Sequence, residues 1–599
     1  MWIAGTQASS SACVASALTS LADRGVTEVL SADRRRWHST GLAVAIIIAT
    51  ASPAVAVDLG VFSGPVQFDA PDGVTLEVDD RRYVGVLESR VAGGGLTLLN
   101  ELSFDEYLEG LAEVPVSWPD AALQAQVIAA RSYAWRALRR APYAAAGYDI
   151  CATQACQVFA GRDIAEADPA GRWARAVAAT SGLVLVGDDG EPILARYSSS
   201  TGGTTQANVE IFPDDGDFPY LQSVDDPHDD VSPFHRWQVT FPRADMNAIF
   251  ARGESLSVVV PYADVTMIAR AFGEDLVRVT GQNGQVVDVT ASDFRFFVAR
   301  EAPQLDPERY PSARAGGSGR LPATLLSSLM VFTTTADGVT VDGRGFGHAV
   351  GMGQYGALGK AQAGFTAAQI LEAYYGGITP TIAPTLPETV RVGLRDDVSL
   401  LSVTPRAPVT VRVGDTVLTD RALGTWQVIA GPDRTLRLAA PAGYGAPLVV
   451  DATTSTRPLQ WAAEVVTLET VVNKHVELEV VVTDAAGSVV ATQPAGIVGP
   501  GRHALDVTLD GPGAAPIAPG SYGVAVVAID EAGDRAGTPA AVVVRAPSVA
   551  VASSALTTIS PDTPATRPDP VGLAIVTLLA ALVGAALALL LAHRAGGSL

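Results

Sequence analysis

Residues 103–138, SFDEYLEGLAEVPVSWPDAALQAQVIAARSYAWRAL, decide the fold, because they read as two helices with a bend between them. Ser103 with Glu106 three residues on has the form of a capping box, and Ser117 with Asp120 repeats the S-x-x-acid spacing. Tyr107, Leu108 and Leu111 make one apolar face, and Leu123, Val127 and Ala130 make the next. Glu113 lies in the bend, two residues before Pro115. Proline disfavours helical backbone at Val114, so the first helix is expected to stop at about Glu113 and turn its carboxylate toward the junction. An acid beside Val114, Pro115 and Trp118 is placed for partial desolvation, which raises a carboxyl pKa and suits it to general-acid work. The ordinary alternative is a solvated glutamate at a helix end.

Upstream, VTLEVDD, RRYVGVLESRV and GLTLLNEL between residues 57 and 102 alternate apolar and polar side chains and are separated by Asp-Gly or Gly-rich turns, the pattern of strands. Downstream, YDICATQACQVFAG holds Cys151 and Cys156 with four residues between them. In an exported protein such a pair most simply forms a disulfide. A zinc site needs two more ligands, for which His228, His235 and His348 are the candidates. A helix near residues 174–180 and the strand GLVLVG lead to ILARYSSSTGGTT, whose serines lack the G-x-S-x-G elbow of a nucleophile. The acidic stretch DDGDFPYLQSVDDPHDD does not have the spacing of a calcium-binding EF-hand loop.

A second informative stretch is VDGRGFGHAVGMGQYGALGKAQAGFTAAQILEAYYGGITP, beginning at Val341. Its glycines permit close approach of the backbone to a neighbour, and it displays His348, Gln354 and Tyr355 before a helix capped by Thr366 with Gln369. It is not a phosphate-binding loop, since Gly359-Lys360 is followed by Ala361. Histidine, glutamine and tyrosine on bare backbone suit a sugar, whose hydroxyl and amide groups take planar donors and a stacking ring; a tightly packed turn is the alternative.

From about residue 389 strands and turns take over, with a small β module expected to residue 458 and short strands at regular spacing over 459–545, the pattern of a β-sandwich. Residues 546–570 are rich in Ser, Thr and Pro and read as a stalk. Residues 571–592 carry no charge and are long enough to span a bilayer, leaving 593–599 as a cytoplasmic tail. At the other end, Arg34-Arg35-Arg36, a short apolar run and an A-x-A site ending at Ala56 read as a secretory signal. A start codon chosen too far upstream would explain the first 30 or so residues, in which case Cys13 is never made. The expected location is the outer face of the cell membrane, anchored at the C-terminus.

At 599 residues the chain exceeds one core, and its net charge of −22 argues against nucleic acid as a partner, because a phosphate backbone calls for a basic footprint.

Together, LAEVPVSWPDAALQAQVIAARSYA, YSSSTGGTT and GRGFGHAVGMGQYGALGKAQAGF resemble the SpoIID/LytB domain over roughly residues 60–385, in the family's order. Residues 461–545 resemble the Ig-like domain of flagellar hook-capping proteins. The resemblance implies an α+β SpoIID-like domain (57–385) and an Ig-like β-sandwich over 459–545, and the patterns above add a small all-β module (386–458) and a C-terminal transmembrane helix. It further implies peptidoglycan glycan strands as partner: SpoIID-type proteins cleave them as lytic transglycosylases, and LytB-type proteins stimulate a wall amidase. The family's catalytic glutamate falls on Glu113. Arg131, Ser199, His348, Gln354 and Tyr355 are expected to hold the glycan. Family members can bind zinc through Cys and His, but no histidine stands beside Cys151 and Cys156, so no cofactor is expected. A non-catalytic activator of an amidase and a stalked adhesin are the rival functions.

Overall fold

The computed structural model describes residues 56–270, 273–310, 321–452, 459–460, 466–507 and 520–545. Among these, the chain is rich in strands and poor in helix, with several sheets. Among the described residues no helix is long and apolar enough to cross a membrane. The span expected at 571–592, the stalk before it and, but for Ala56, the leader lie outside the described residues.

Two large sheets are built from strands far apart in sequence. The seven-stranded sheet runs in the order Thr416–Ala422, Val409–Val413, Val66–Asp69, Val86–Ala92, Gly95–Ser103, Thr389–Val398, Ile150–Cys151. The six-stranded sheet runs Val57–Phe62, Leu436–Ala440, Trp426–Ala430, Leu400–Pro405, Leu76–Val78, Arg81–Tyr83. The boundary expected at residue 385 is therefore corrected: strands after it pair with strands before residue 104, Val413 opposite Val66 and Val390 opposite Leu102. One core holds them, with the Phe68 and Trp426 rings 6.2 Å apart. Alternation announces a strand but not its partner, and here the partners are some 300 residues away.

Helix α1 (Phe104–Glu109) has the expected capping box: Glu106 N–H donates to Ser103 Oγ at 3.3 Å, and Ser103 N–H to Glu106 Oε2 at 3.1 Å. It ends earlier than expected. Gly110 closes it against the Phe159 ring, where a Cβ would come within 2.4 Å, and the chain then pairs with another segment, Leu111 bridging Phe159 and Ala112 N–H donating to Val158 O. Glu113 is thus carried by the bend that follows this bridge and not by the helix end. Helix α2 (Asp120–Arg140) starts after Pro119, and Ser117 does not cap it. Arg172 instead braces the turn that leads into the helix, donating to Val116 O, Trp118 O and the Asp120 carboxylate.

Helix α2 is buried on two faces. Leu123, Val127 and Ala130 face the sheet core; Ala125, Ile128 and Ala129 face a second core formed with Met352, Ile370 and Tyr374. Its many alanines allow both layers to approach closely. Helix α3 (Arg172–Ala179) packs beside it, and α4 (Gln354–Gln362) and α5 (Ala367–Tyr374) close the second core. The Thr366–Gln369 capping box is present on α5.

Residues 236–344 form an insertion with its own core around Trp237, Phe250, Phe294 and Val341. After residue 449, a five-stranded and a three-stranded sheet enclose a further core around Leu478, Val480 and Val526. Buried Lys474 ties this module to the body, donating to Asp530, Glu531 and the Ala446 carbonyl at 3.0, 2.6 and 2.7 Å.

Cys151 and Cys156 are joined in a disulfide, Cα to Cα 5.5 Å. Replacing both by Ser is expected to lower stability by about 2 kcal/mol, the chain-entropy contribution of so short a loop. Denaturant unfolding of the double variant against the oxidised parent measures it, and an unchanged midpoint would contradict it.

Candidate active site

Glu113 is half-buried where three segments meet. Its Oε1 accepts from Val158 N–H at 2.7 Å and from the Tyr197 hydroxyl at 3.0 Å, and the Gln354 amide also bonds the carboxyl. Burial raises its pKa above the ordinary glutamate value, and the three hydrogen bonds only partly offset this. Among the described residues no cation and no second carboxylate appears among the groups acting on it. A carboxyl so held retains its proton nearer neutrality than a free glutamate does, which a general acid requires.

Aromatic rings cluster on the segments that carry Glu113 and its partner Gln354. Trp118, five residues on, meets Tyr355 edge-on at 5.1 Å; Phe234 meets Tyr355 at 5.5 Å and Phe346 at 5.1 Å. Tyr355 keeps part of its ring exposed, as a platform for a sugar face needs.

The glycine-rich loop reaches Glu113 because it is laced onto residues 196–201. Met352–Gly353 pairs in parallel with Tyr197–Ser198, and Phe346 bridges Ser200. At Gly351 the backbone has φ of +72°, and a Cβ would lie 2.1 Å from Arg196 O, so only glycine fits. Two buried acids pin the other side of this loop. Asp229 accepts from Ser200 Oγ, Thr201 N–H, Gly202 N–H and His235 Nδ1; Asp226 accepts from Thr201 Oγ1, Lys360 Nζ and the Tyr374 hydroxyl.

The residues expected to hold a glycan divide. Gln354 touches Glu113, and Tyr355 lies in the aromatic wall. Ser199 is half-buried, its carbonyl taken by Tyr355 N–H at 3.0 Å. Arg131 is corrected: it is fully enclosed, and its guanidinium donates to the carbonyls of Val177, Thr180 and Leu183, closing the C-terminal end of α3. His348 braces the loop instead of facing outward: Nδ1 accepts from Val350 N–H at 3.0 Å, the ring also bonds the Tyr197 backbone, and it packs on Phe212 at 5.4 Å. Burial, with Arg196 and Arg295 near, pushes its pKa down to about 3, so it is neutral.

Tyr197, Gln157 and Phe234 belong to the site and were not singled out from sequence, whereas Trp118 was named only as a neighbour that would desolvate Glu113. The nearest signal was position: Tyr197 opens the SSST run, and Gln157 follows Cys156.

Each candidate zinc ligand has another partner in the structure. The two sulfurs bond each other, and the candidate histidines are engaged elsewhere: His228 packs against Phe365 at 5.6 Å, His235 bonds Asp229, and His348 braces its own loop. Among the described residues no group of three or more His, Cys, Asp or Glu is disposed to hold a metal ion.

Residues 92–186 match the family model SpoIID, stage II sporulation protein. The chain is similar to the amidase enhancer of Bacillus subtilis (strain 168), 29% identical over 304 residues, 45% of this chain and 39% of that protein. It is also similar to stage II sporulation protein D of Bacillus amyloliquefaciens, 26% identical over 291 residues, and of Bacillus subtilis (strain 168), 27% over 294; each match covers 47% of this chain and 74% of the relative. The chain thus spans about two fifths of the amidase enhancer's length. Among solved structures, dimeric latent PorU from Porphyromonas gingivalis matches 26% of this chain and 13% of its own at 14% identity and a TM-score of 0.15, below the level of a shared fold.

Proposed function

We propose that this protein acts on peptidoglycan as a lytic transglycosylase, with Glu113 as its single acid and base. The observation that carries the reading is a partly desolvated carboxyl, with no cation or second acid acting on it among the described residues, bonded to Gln354 of the glycine-rich loop next to the aromatic cluster of Tyr355 and Trp118. The names of its relatives, a sporulation protein and an amidase enhancer, point to the cell wall as the setting. Protonated Glu113 gives its proton to the glycosidic oxygen as the C1–O bond breaks. The ionised carboxylate then takes the proton of the sugar's own 6-hydroxyl as that oxygen bonds C1. The product has a 1,6-anhydro end, the carboxyl is again protonated, and no water is consumed. An ordinary hydrolase needs a second carboxyl to activate water or to attack, and this route does not.

The reading includes export and a C-terminal membrane anchor, on the strength of residues 34–56 and 571–592, and an Ig-like spacer over 459–545. A second reading, a non-catalytic module that activates a wall amidase, is favoured by the name of the 29%-identical relative. Digestion of purified glycan strands, with and without stem peptides, separates the two by whether anhydro-ended products form.

The pH profile follows from the first step. Glu113 must enter protonated, so activity is expected to fall as pH rises through its elevated pKa. The sign for stability is the same. The folded state holds this proton more tightly than the unfolded chain, so the associated stability is complete below the ordinary glutamate range and is lost as pH rises through the folded value. Rates of strand digestion across pH check it, and a rate that grows through that limb would contradict the role.

A further inference from the structure

The carboxyl of Glu113 ends a line of hydrogen bonds whose direction follows from chemistry. The Ala130 carbonyl only accepts, and it takes a bond from Gln157 Nε2 at 3.3 Å. The amide nitrogen of Gln157 therefore faces α2, and its oxygen accepts from the Tyr107 hydroxyl at 2.6 Å. The same nitrogen donates to the Tyr197 hydroxyl oxygen at 2.9 Å. With that oxygen occupied as an acceptor, Tyr197 turns its own proton to Glu113 Oε1 at 3.0 Å. Val158 N–H, which only donates, reaches the same Oε1 at 2.7 Å.

We propose that Tyr197, oriented by Gln157 and Tyr107 behind it, is a positioning residue that locks Glu113 Oε1 as an acceptor and thereby assigns the transferable proton to Oε2. The inference rests on the reading of Glu113 as acid and base. An oxygen that already receives two donors is a poor place for a proton, whereas Oε2 receives neither Val158 nor Tyr197, and the Gln354 amide is the one further group bonded to the carboxyl among the described residues. Tyr107 and Gln157 are fully enclosed, so they reach the reaction only through Tyr197. The titratable groups coupled to Glu113 are Tyr197, Tyr107 and Tyr133, all held neutral by burial that raises their pKa values. No charged residue competes for the assignment among the described groups.

The line also couples distant parts of the fold. Tyr197 is fixed in register by Met352–Gly353 of the glycine-rich loop, and Gln157 and Val158 follow directly on the disulfide. A displacement of either segment therefore changes which oxygen holds the proton.

The test uses the full chain with isotope-labelled glutamate, titrated by infrared spectroscopy, with Glu113→Gln subtracted to isolate the one carboxyl. In Tyr197→Phe the proton affinity of Glu113 is expected to rise about three- to tenfold, because a donor that favours the ionised form is gone. Gln157→Leu, which removes the donor that polarises the phenol, is expected to move it the same way by less, and stands in if Tyr197→Phe does not fold. The alkaline limb of strand digestion should move with the titration, with kcat lowered and KM held. An unchanged or lowered affinity in these variants overturns the assignment. A raised affinity with no anhydro-ended product from the parent upholds the assignment and rejects the transglycosylase reading instead.

Discussion

Glu113→Gln is expected to abolish anhydro-ended products from purified glycan strands, a loss of about a thousandfold or more, while binding to whole cell walls persists. The size follows from the role. General acid catalysis typically supplies 10²–10⁴-fold, and in the proposed route one group serves both the proton donation and the proton abstraction, so both steps fail together. Glutamine is close to isosteric and keeps an oxygen for Val158 N–H and Tyr197, so the fold around residue 113 should be unchanged. In the proposed function wall binding draws on the aromatic wall of Trp118, Tyr355 and Phe234, which the substitution leaves in place. Activity surviving in this variant would reject the mechanism; loss of wall binding together with activity would point to a folding defect, visible as a shifted melting curve.

Lys360→Met is expected to cost about 3–5 kcal/mol, the largest stability change named here, because it leaves a buried carboxylate uncompensated. Asp226 is fully enclosed and Lys360 nearly so, with Nζ to Oδ1 at 2.6 Å. The ammonium also donates to the Tyr374 hydroxyl at 3.0 Å and lies 4.2 Å from that ring's centroid. Asp226 in turn holds Thr201, so the loss should propagate to the loop that carries Ser199 and Tyr197. Pairing the change with Asp226→Asn removes the stranded charge and should recover part of the loss. Calorimetry resolves the transition of this core from that of the C-terminal module, and equal stability of Lys360→Met and parent would show that Asp226 is not the anchor of this side of the site.

What the chain disclosed on its own depended on the range of each interaction. The capping boxes at Ser103–Glu106 and Thr366–Gln369 are local, and both stand in the structure as their spacing indicates. The end of α1 was misplaced because its true determinants, Gly110 against Phe159 and Ala112 against Val158, come from a segment about 50 residues on. Arg131 was expected to hold the glycan alongside the resemblance to the SpoIID/LytB domain; its partners are backbone carbonyls at 177–183, which no side-chain pattern marks. Glu113 was legible as a bend acid, whereas the relay behind it joins residues 107, 157 and 197, and nothing in their separate neighbourhoods ties them together. The strands after residue 385 were legible as strands and illegible as partners of the N-terminal ones.

That interleaving bears on how the molecule comes into being. Gly95–Ser103, central in its sheet, has Val86–Ala92 on one side at once, but its other neighbour, Thr389–Val398, is synthesised almost 300 residues later. Closing so long a loop is slow, since its entropy cost precedes any reward from contacts. Until then the early strands present open edges, the kind of surface on which chains stick to one another. Nascent protein emerging amino end first is therefore aggregation-prone for most of its synthesis, and becomes safe only when the last strands of the body arrive to complete both sheets.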